Sequence, residues 1–155
     1  MKSFEELDCW KKAALLRREL SVLVKRFPSD EKFKLTDQII RASRSVNANI
    51  AEGYGRFHYQ EYAQFCRHSR GSLYELIDHL IVAHEEEYIN AEELFILKDK
   101  IQECLAVLNG FINYLLKAKS NNNQVHEPEM IYGEKVNSYE FSDKGRDTDN
   151  CPCLK

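Results

Sequence analysis

The chain has 155 residues, 43% hydrophobic and 30% charged, with a formal net charge of −3, enough for one domain with a real core. No run approaches the ~18 uninterrupted apolar residues of a membrane helix, and the start, MKSFEELDCW, is acidic and amphipathic, unlike a secretory leader. Through Lys119 there are 18 Lys+Arg against 18 Asp+Glu, and from Ser120 onward 4 against 7. A neutral main body argues against strong non-specific nucleic-acid binding, which rests on neutralising phosphates, but leaves room for a local basic patch.

Ser3-Phe4-Glu5-Glu6 has capping-box spacing, with the Ser hydroxyl able to reach the third amide. A first helix is expected from there to about Phe27, where Pro28 stops it. Its apolar residues form two adjoining lines, Leu7, Trp10, Ala14 and Val24 beside Ala13, Leu16, Leu20, Leu23 and Phe27. Together they cover roughly 200°, about twice the stripe of a surface helix. That surplus predicts a subunit contact, the alternative being a helix unusually deep in its own bundle.

A second helix is expected from Leu35 or Thr36 to the Gly53-Tyr54-Gly55 step, whose glycines can take the positive φ that closes a helix. On it Leu35, Ile39, Val46, Ile50 and Phe57 form a core line. Beside them runs a polar seam of Gln38, Arg41, Ser45, Asn49, Glu52 and Arg56, short amides, a hydroxyl and Arg without Lys. Such groups suggest a ridge held against other protein, where each needs a partner.

The third helix, about His58 to Tyr88, has a core line of Tyr62, Phe65, Ser69, Leu73, Leu76, Leu80 and Ala83 and a polar edge of Glu61, His68, Ser72, Glu75 and His79. In an antiparallel hairpin that edge falls on the seam, so Ser72 and Glu75 belong with it. Arg41 is expected to pair with Glu75, and Arg56 to neutralise the acids Glu52 and Glu61. Asn90 and Glu93 form a second capping box. The following line, Leu94, Leu97, Ile101, Leu105, Leu108, Ile112 and Leu115, keeps the three-four spacing of a bundle seam. The fold class is therefore all-α, an up-down-up-down antiparallel four-helix bundle over residues 1–119. Residues 120–155 are polar, lack periodicity and read as a disordered appendage, in which Ile131, Tyr132, Tyr139 and Phe141 could dock on a partner. Cys151 and Cys153 are too few for a metal site and misplaced for a prenylation box.

No chemistry-bearing constellation emerges. No His has a Glu three residues before it, as di-iron bundles require. Glu75 and His79 lack a third zinc ligand. The Arg-x4-6-His signature of some all-helical ribonucleases is missing. Gly53-Tyr54-Gly55 lacks the Lys-Ser or Lys-Thr of a phosphate loop. No catalytic, cofactor-binding or metal-binding residues are assigned, and Cys9, Cys66 and Cys104 read as reduced core thiols of a cytoplasmic protein. The best candidate surface is the corner between the second and third helices, Tyr54, Arg56, His58 and Tyr59, with Arg44, Arg67 and Arg70 nearby; Arg and aromatic groups together bind phosphates and stack bases. The competing reading is that Tyr54 and Arg56 pack the turn and the other arginines are solvated.

The stretches QIIRASRSVNANIAEGYGR and RGSLYELIDHL, together with FEELDCWKKA and Phe27-Pro28, resemble the four-helix-bundle family of 23S rRNA intervening-sequence proteins over about Phe4 to Leu116. The matching positions include Gln38, Arg41, Ser45, Asn49 to Gly53, Gly55-Arg56 and Gly71-Ser72-Leu73 with Glu75-Leu76. The resemblance implies a closed homo-oligomer, a pentamer, and likeness to retroelement accessory proteins, basic pentameric barrels that engage a reverse transcriptase and nucleic acid. It carries no catalytic residues. His58 stands where the family often has a capping Ser, and the neutral bundle departs from the basic accessories. The expected function is a non-catalytic interaction scaffold associated with RNA or a ribonucleoprotein; the alternative is a protein-only adaptor that binds no nucleic acid.

Overall fold

Three interruptions, at Pro28, at Gly55-Arg56 and at Glu86-Glu87, cut a strongly helical chain into four helices. In the computed structural model, which describes residues 3–56 and 58–121, α1 spans Asp8–Leu23, α2 Leu35–Tyr54, α3 Tyr59–Glu85 and α4 Ala91–Asn121. Each helix packs on the next and α4 returns to α1, so α1 and α3 lie on a diagonal. Contacts fix every direction as antiparallel. Phe4 and Trp10 meet Tyr54 and Asn47, Tyr62 and Arg70 meet Phe111 and Asn109, and Lys12, Glu19 and Arg26 meet Glu103, Lys100 and Glu93. The all-α four-helix bundle read from the 3.6-residue periodicity is the fold observed. Among the described residues there is no strand, and no helix is long and apolar enough to cross a membrane. Phe57, the appendage from Asn122 onward and its two cysteines lie outside the described residues.

The first helix begins later than its capping box suggests. Ser3 Oγ accepts from the Glu5 amide at 3.2 Å, while the Ser3 carbonyl takes the Glu6 amide at 3.2 Å, which winds Phe4–Glu6 as a tight 3₁₀ turn. Extended Leu7 then separates that turn from α1. The wide apolar arc of α1 is consumed within its own subunit: Leu7, Ala13, Ala14, Leu16, Leu20, Val24 and Phe27 are buried, and Trp10 and Leu23 are half-buried. Only Trp10 and Leu23 keep part of the arc uncovered. The apolar side chains that α1 leaves in solvent are Leu15 and Val22, which belong to neither expected line.

At α2 the expected glycine turn is also corrected. Gly55 has φ −75°, an ordinary helical value, and its amide still bonds to the Ala51 and Glu52 carbonyls. Gly53 matters for space instead. A Cβ there would sit 2.4 Å from the Tyr62 ring and 3.0 Å from Phe65 Cβ. The start of α2 is held by Glu31, whose carboxylate accepts from the Leu35 amide at 3.1 Å, satisfying a donor that the first helical turn leaves open.

The end of α3 is a Schellman motif. The Tyr88 amide bonds to Ala83 O at 2.8 Å, the Glu87 amide bonds to His84 O at 3.0 Å, and Glu87 has φ 60°. That left-handed backbone favours glycine over any residue with a Cβ. Glu87→Gly is therefore expected to stabilise the fold by about 1 kcal/mol, an increase readable as a higher denaturant midpoint; a fall would contradict the capping account.

The second capping box forms as expected. Glu93 N donates to Asn90 Oδ1 at 2.8 Å and Asn90 N donates to Glu93 Oε2 at 3.0 Å. Arg26 Nη2 also reaches Glu93 Oε1 at 2.7 Å. The Asn90 amide, and after it Arg26, hold the Glu93 carboxyl below its ordinary 4.5. A depressed carboxylate contributes stability above its unfolded pKa that is lost as pH falls through the folded one. Between about pH 5 and about pH 3 the native chain should lose more stability than Glu93→Gln, measured by urea unfolding; parallel acid limbs would remove this contribution.

The core is closed by aliphatic side chains from all four helices, with Leu20, Ile39, Ile50, Leu73, Leu76, Leu80 and Ile101 fully buried. Leu94 and Phe65, placed on core lines by the periodicity, are only half-buried. Cys9, Cys66 and Cys104 are buried free thiols. Burial pushes them up to about 11, 12 and 11 respectively, so they behave as small hydrophobes rather than nucleophiles.

Candidate nucleic-acid interface

The polar groups divide into those that join helices and those that face water. Ser72 Oγ donates to Ser45 Oγ at 2.9 Å, Asn49 Nδ2 donates to the Ser45 carbonyl at 2.8 Å, and Ser69 Oγ donates to the Val46 carbonyl at 2.9 Å. The two serine bonds from α3 set the α2–α3 register, while the Asn49 bond lies within α2. The rest of the seam is not sealed within the subunit: Gln38, Arg41, Glu52 and Glu75 are exposed. The expected Arg41–Glu75 pair does not form. Arg41 lies 3.8 Å from Asp37 on its own helix, and Glu75 lies 3.5 Å from His79. An exposed Arg with an acid one turn away gains nothing by reaching across a groove.

Arg56 neutralises Glu52, with Nη2 2.7 Å from Oε1, but makes no ion pair with Glu61; its guanidinium lies 4.9 Å from the Phe65 ring centroid. Tyr54 belongs to a chain of ring contacts running from Trp10 and Phe4 through Tyr54 and Tyr62 to Phe111 and Tyr114. This chain ties all four helices together at one end. His58 is exposed and occupies the N-cap position of α3 with no side-chain bond to a free amide. Tyr59 is half-buried against the core.

Arg67 donates to Gln64 at 3.3 Å and Arg70 donates across to Asn109 of α4 at 3.1 Å. Arg44 is exposed but stands ten residues before Tyr54, about 15 Å along the helix axis. The structure thus gathers Tyr54, Arg56, His58 and Tyr59 at the corner. It turns Arg70 toward α4 and leaves Arg44 well down α2.

One residue that periodicity passed over is central to the packing. Asn47 is buried, and its Nδ2 donates to the Trp10 carbonyl of α1 at 3.0 Å. Its signal in the sequence is an amide next to Val46 on the inner face, but its partner is a main-chain carbonyl 37 positions away. Among the described residues no group of three or more His, Cys, Asp or Glu side chains could hold a metal ion.

Fold and surface together define an antiparallel four-helix bundle whose outer faces, rather than an enclosed cleft, carry its distinctive side chains. The profile of the 23S rRNA-intervening sequence proteins matches residues 5–110, and the chain belongs to that family. It is also similar to a crystal structure of a protein of unknown function from the S23 ribosomal protein family of Bacteroides thetaiotaomicron. That likeness has 21% identity and a TM-score of 0.63, and covers 68% of this chain and 95% of the other. It concerns the fold. No match is found among curated proteins.

Proposed function

We propose that the protein is a non-catalytic, homo-oligomeric four-helix-bundle scaffold, acting in the cytoplasm in association with RNA or a ribonucleoprotein. The observation that carries the reading is an unexplained cost on the outer surface. Gly71 and Gly110 are exposed in the middle of α3 and α4, with nothing within 4 Å of where a Cβ would lie. Each costs about 0.5–1 kcal/mol relative to Ala. Tyr74 and Tyr114, one turn from these glycines, are also exposed. A bare helix backbone beside a solvent-facing aromatic suits the close approach of another chain. The family likeness implies that this chain is a further copy, with five in the closed assembly.

Support for RNA is the family's association with 23S rRNA intervening sequences together with the corner at Arg56, His58 and Tyr59, with exposed Arg67 about two turns further along α3. The protein-only adaptor is favoured by a different observation: Arg56 and Arg70 are already engaged by Glu52 and Asn109. Binding to single-stranded and duplex RNA at several salt concentrations separates the two. A scaffold for RNA binds at low salt and weakens steeply as salt rises, and Arg67→Ala weakens it further. Absence of binding at low salt selects the adaptor.

A further inference from the structure

The zero net charge of the bundle conceals a division. From Asp8 to Tyr54 there are ten Lys and Arg against six Asp and Glu; from Tyr59 to Asn121 there are six against ten. The α1–α2 half is therefore +4 and the α3–α4 half −4. The charges without ionic partners lean the same way, although Asp30 in the first half and Arg67, Arg70 and Lys98 in the second also make no ion pair among the described residues. Arg17, Arg18 and Arg44 make no ion pair among the described residues, nor do Asp78, Glu92 and Asp99.

Each half also exposes large apolar side chains beside its unpaired charges. On α1, Leu15, Arg18 and Val22 occupy one outward stripe by their spacing, with Leu15 57% and Val22 64% exposed. Across the diagonal, Tyr74 and Asp78 share a stripe of α3, and Phe95 and Asp99 share one of α4. Tyr74 is 56% and Phe95 73% exposed. Beside Phe95 is a shallow depression lined by Leu94, Lys98, Asp99 and Gln102.

The two surfaces match in height. The Lys100–Glu19 and Lys12–Glu103 pairs place Arg18 level with about residue 100 of α4. The Arg70–Asn109 and Tyr62–Phe111 contacts place Asp78 at that level too, within about one helical turn. By the same registers Leu15 lies level with Tyr74, and Val22 with Phe95.

We propose that these are the two sides of one heterologous interface. The outer face of α1, with Arg44 of α2 alongside, packs on the α3–α4 face of the next copy, Arg18 meeting Asp78 and Asp99 between two apolar contacts. Because the complementary groups lie at equal height, a rotation about an axis parallel to the bundle, with no rise, relates successive copies. A heterologous contact of that kind generates a ring rather than a filament when the rotation closes. Opposite charge on the two faces disfavours basic-on-basic and acidic-on-acidic pairing.

This assignment rests on the homo-oligomeric reading, and the test separates the two. Light scattering on the full chain gives the mass of wild type, of Arg17→Glu/Arg18→Glu, of Asp78→Lys/Asp99→Lys, and of the chain with all four changes. The expected result is a wild-type oligomer, dissociation of at least tenfold in each two-site variant, and recovery of the oligomer in the four-site chain. Circular dichroism confirms helical content throughout. A wild-type monomer would overturn the oligomeric reading itself. A wild-type oligomer that persists in both folded two-site variants, or dissociates in them without recovery in the four-site chain, would overturn the interface alone.

Discussion

Asn47→Asp is expected to lower the unfolding free energy by about 3–5 kcal/mol at pH 7, and by much less near about pH 4. Asn47 is 3% exposed, and the atom it directs at the Trp10 carbonyl is a donor. A carboxylate in its place sets acceptor against acceptor, and no cation is bonded at the site. Desolvation raises the folded-state pKa of such a group above its unfolded value. Its protonated form is tolerated below the unfolded pKa, and stability is lost as pH rises through the folded one. Asn47→Leu, similar in volume and uncharged, should cost only about 1–2 kcal/mol at either pH. Equal losses for Asn47→Asp at both pH values, measured by urea unfolding, would show that the α1–α2 contact does not depend on this buried amide.

Gly53→Ala is expected to destabilise even though alanine favours the helix by about 0.5–1 kcal/mol. The added methyl would lie 2.4 Å and 2.8 Å from two carbons of the Tyr62 ring. That ring is confined by Tyr54 and Phe111, at centroid distances of 6.4 Å and 5.2 Å. It cannot retreat without opening the aromatic chain, and overpacking of this kind costs about 1–3 kcal/mol. The loss should shrink in a Tyr62→Val background, since the two positions share one contact. A Gly53→Ala protein as stable as the parent would mean that Tyr62 moves freely, contrary to its tight surroundings.

How much could be read beforehand is clearest on α2. Leu35, Ile39, Val46 and Ile50 recur at helical spacing and are the residues the bundle buries. Ser45 and Ser72 sit on edges that had to meet, and they are bonded. Arg41 and Glu75 lie on the same two edges, yet each took a partner one turn away on its own helix. A local partner is available before any tertiary contact forms, and a long exposed side chain has no reason to give it up. Gly53 was legible as special but for the wrong cause, since a glycine reserved for positive φ and one reserved for a neighbouring ring look alike in a sequence. At the corner, the sequence shows that Arg and Tyr are close along the chain. Only the packing reveals that Arg56 spends its charge on Glu52 and stacks on Phe65.

By itself the sequence determined four helices, most of their inward faces, the capping box at Asn90, the break before Pro28, and the family, because periodicity and capping are properties of a chain and its nearest neighbours. The tertiary structure alone decided that most of the broad apolar arc of α1 is buried inside the subunit, that Asn47 holds a carbonyl of α1, and that Arg18, Asp78 and Asp99 lie at about one height. Those facts depend on the register and rotation of one helix against another. A displacement of a single residue changes every pairing, while leaving each helix's own pattern as it was.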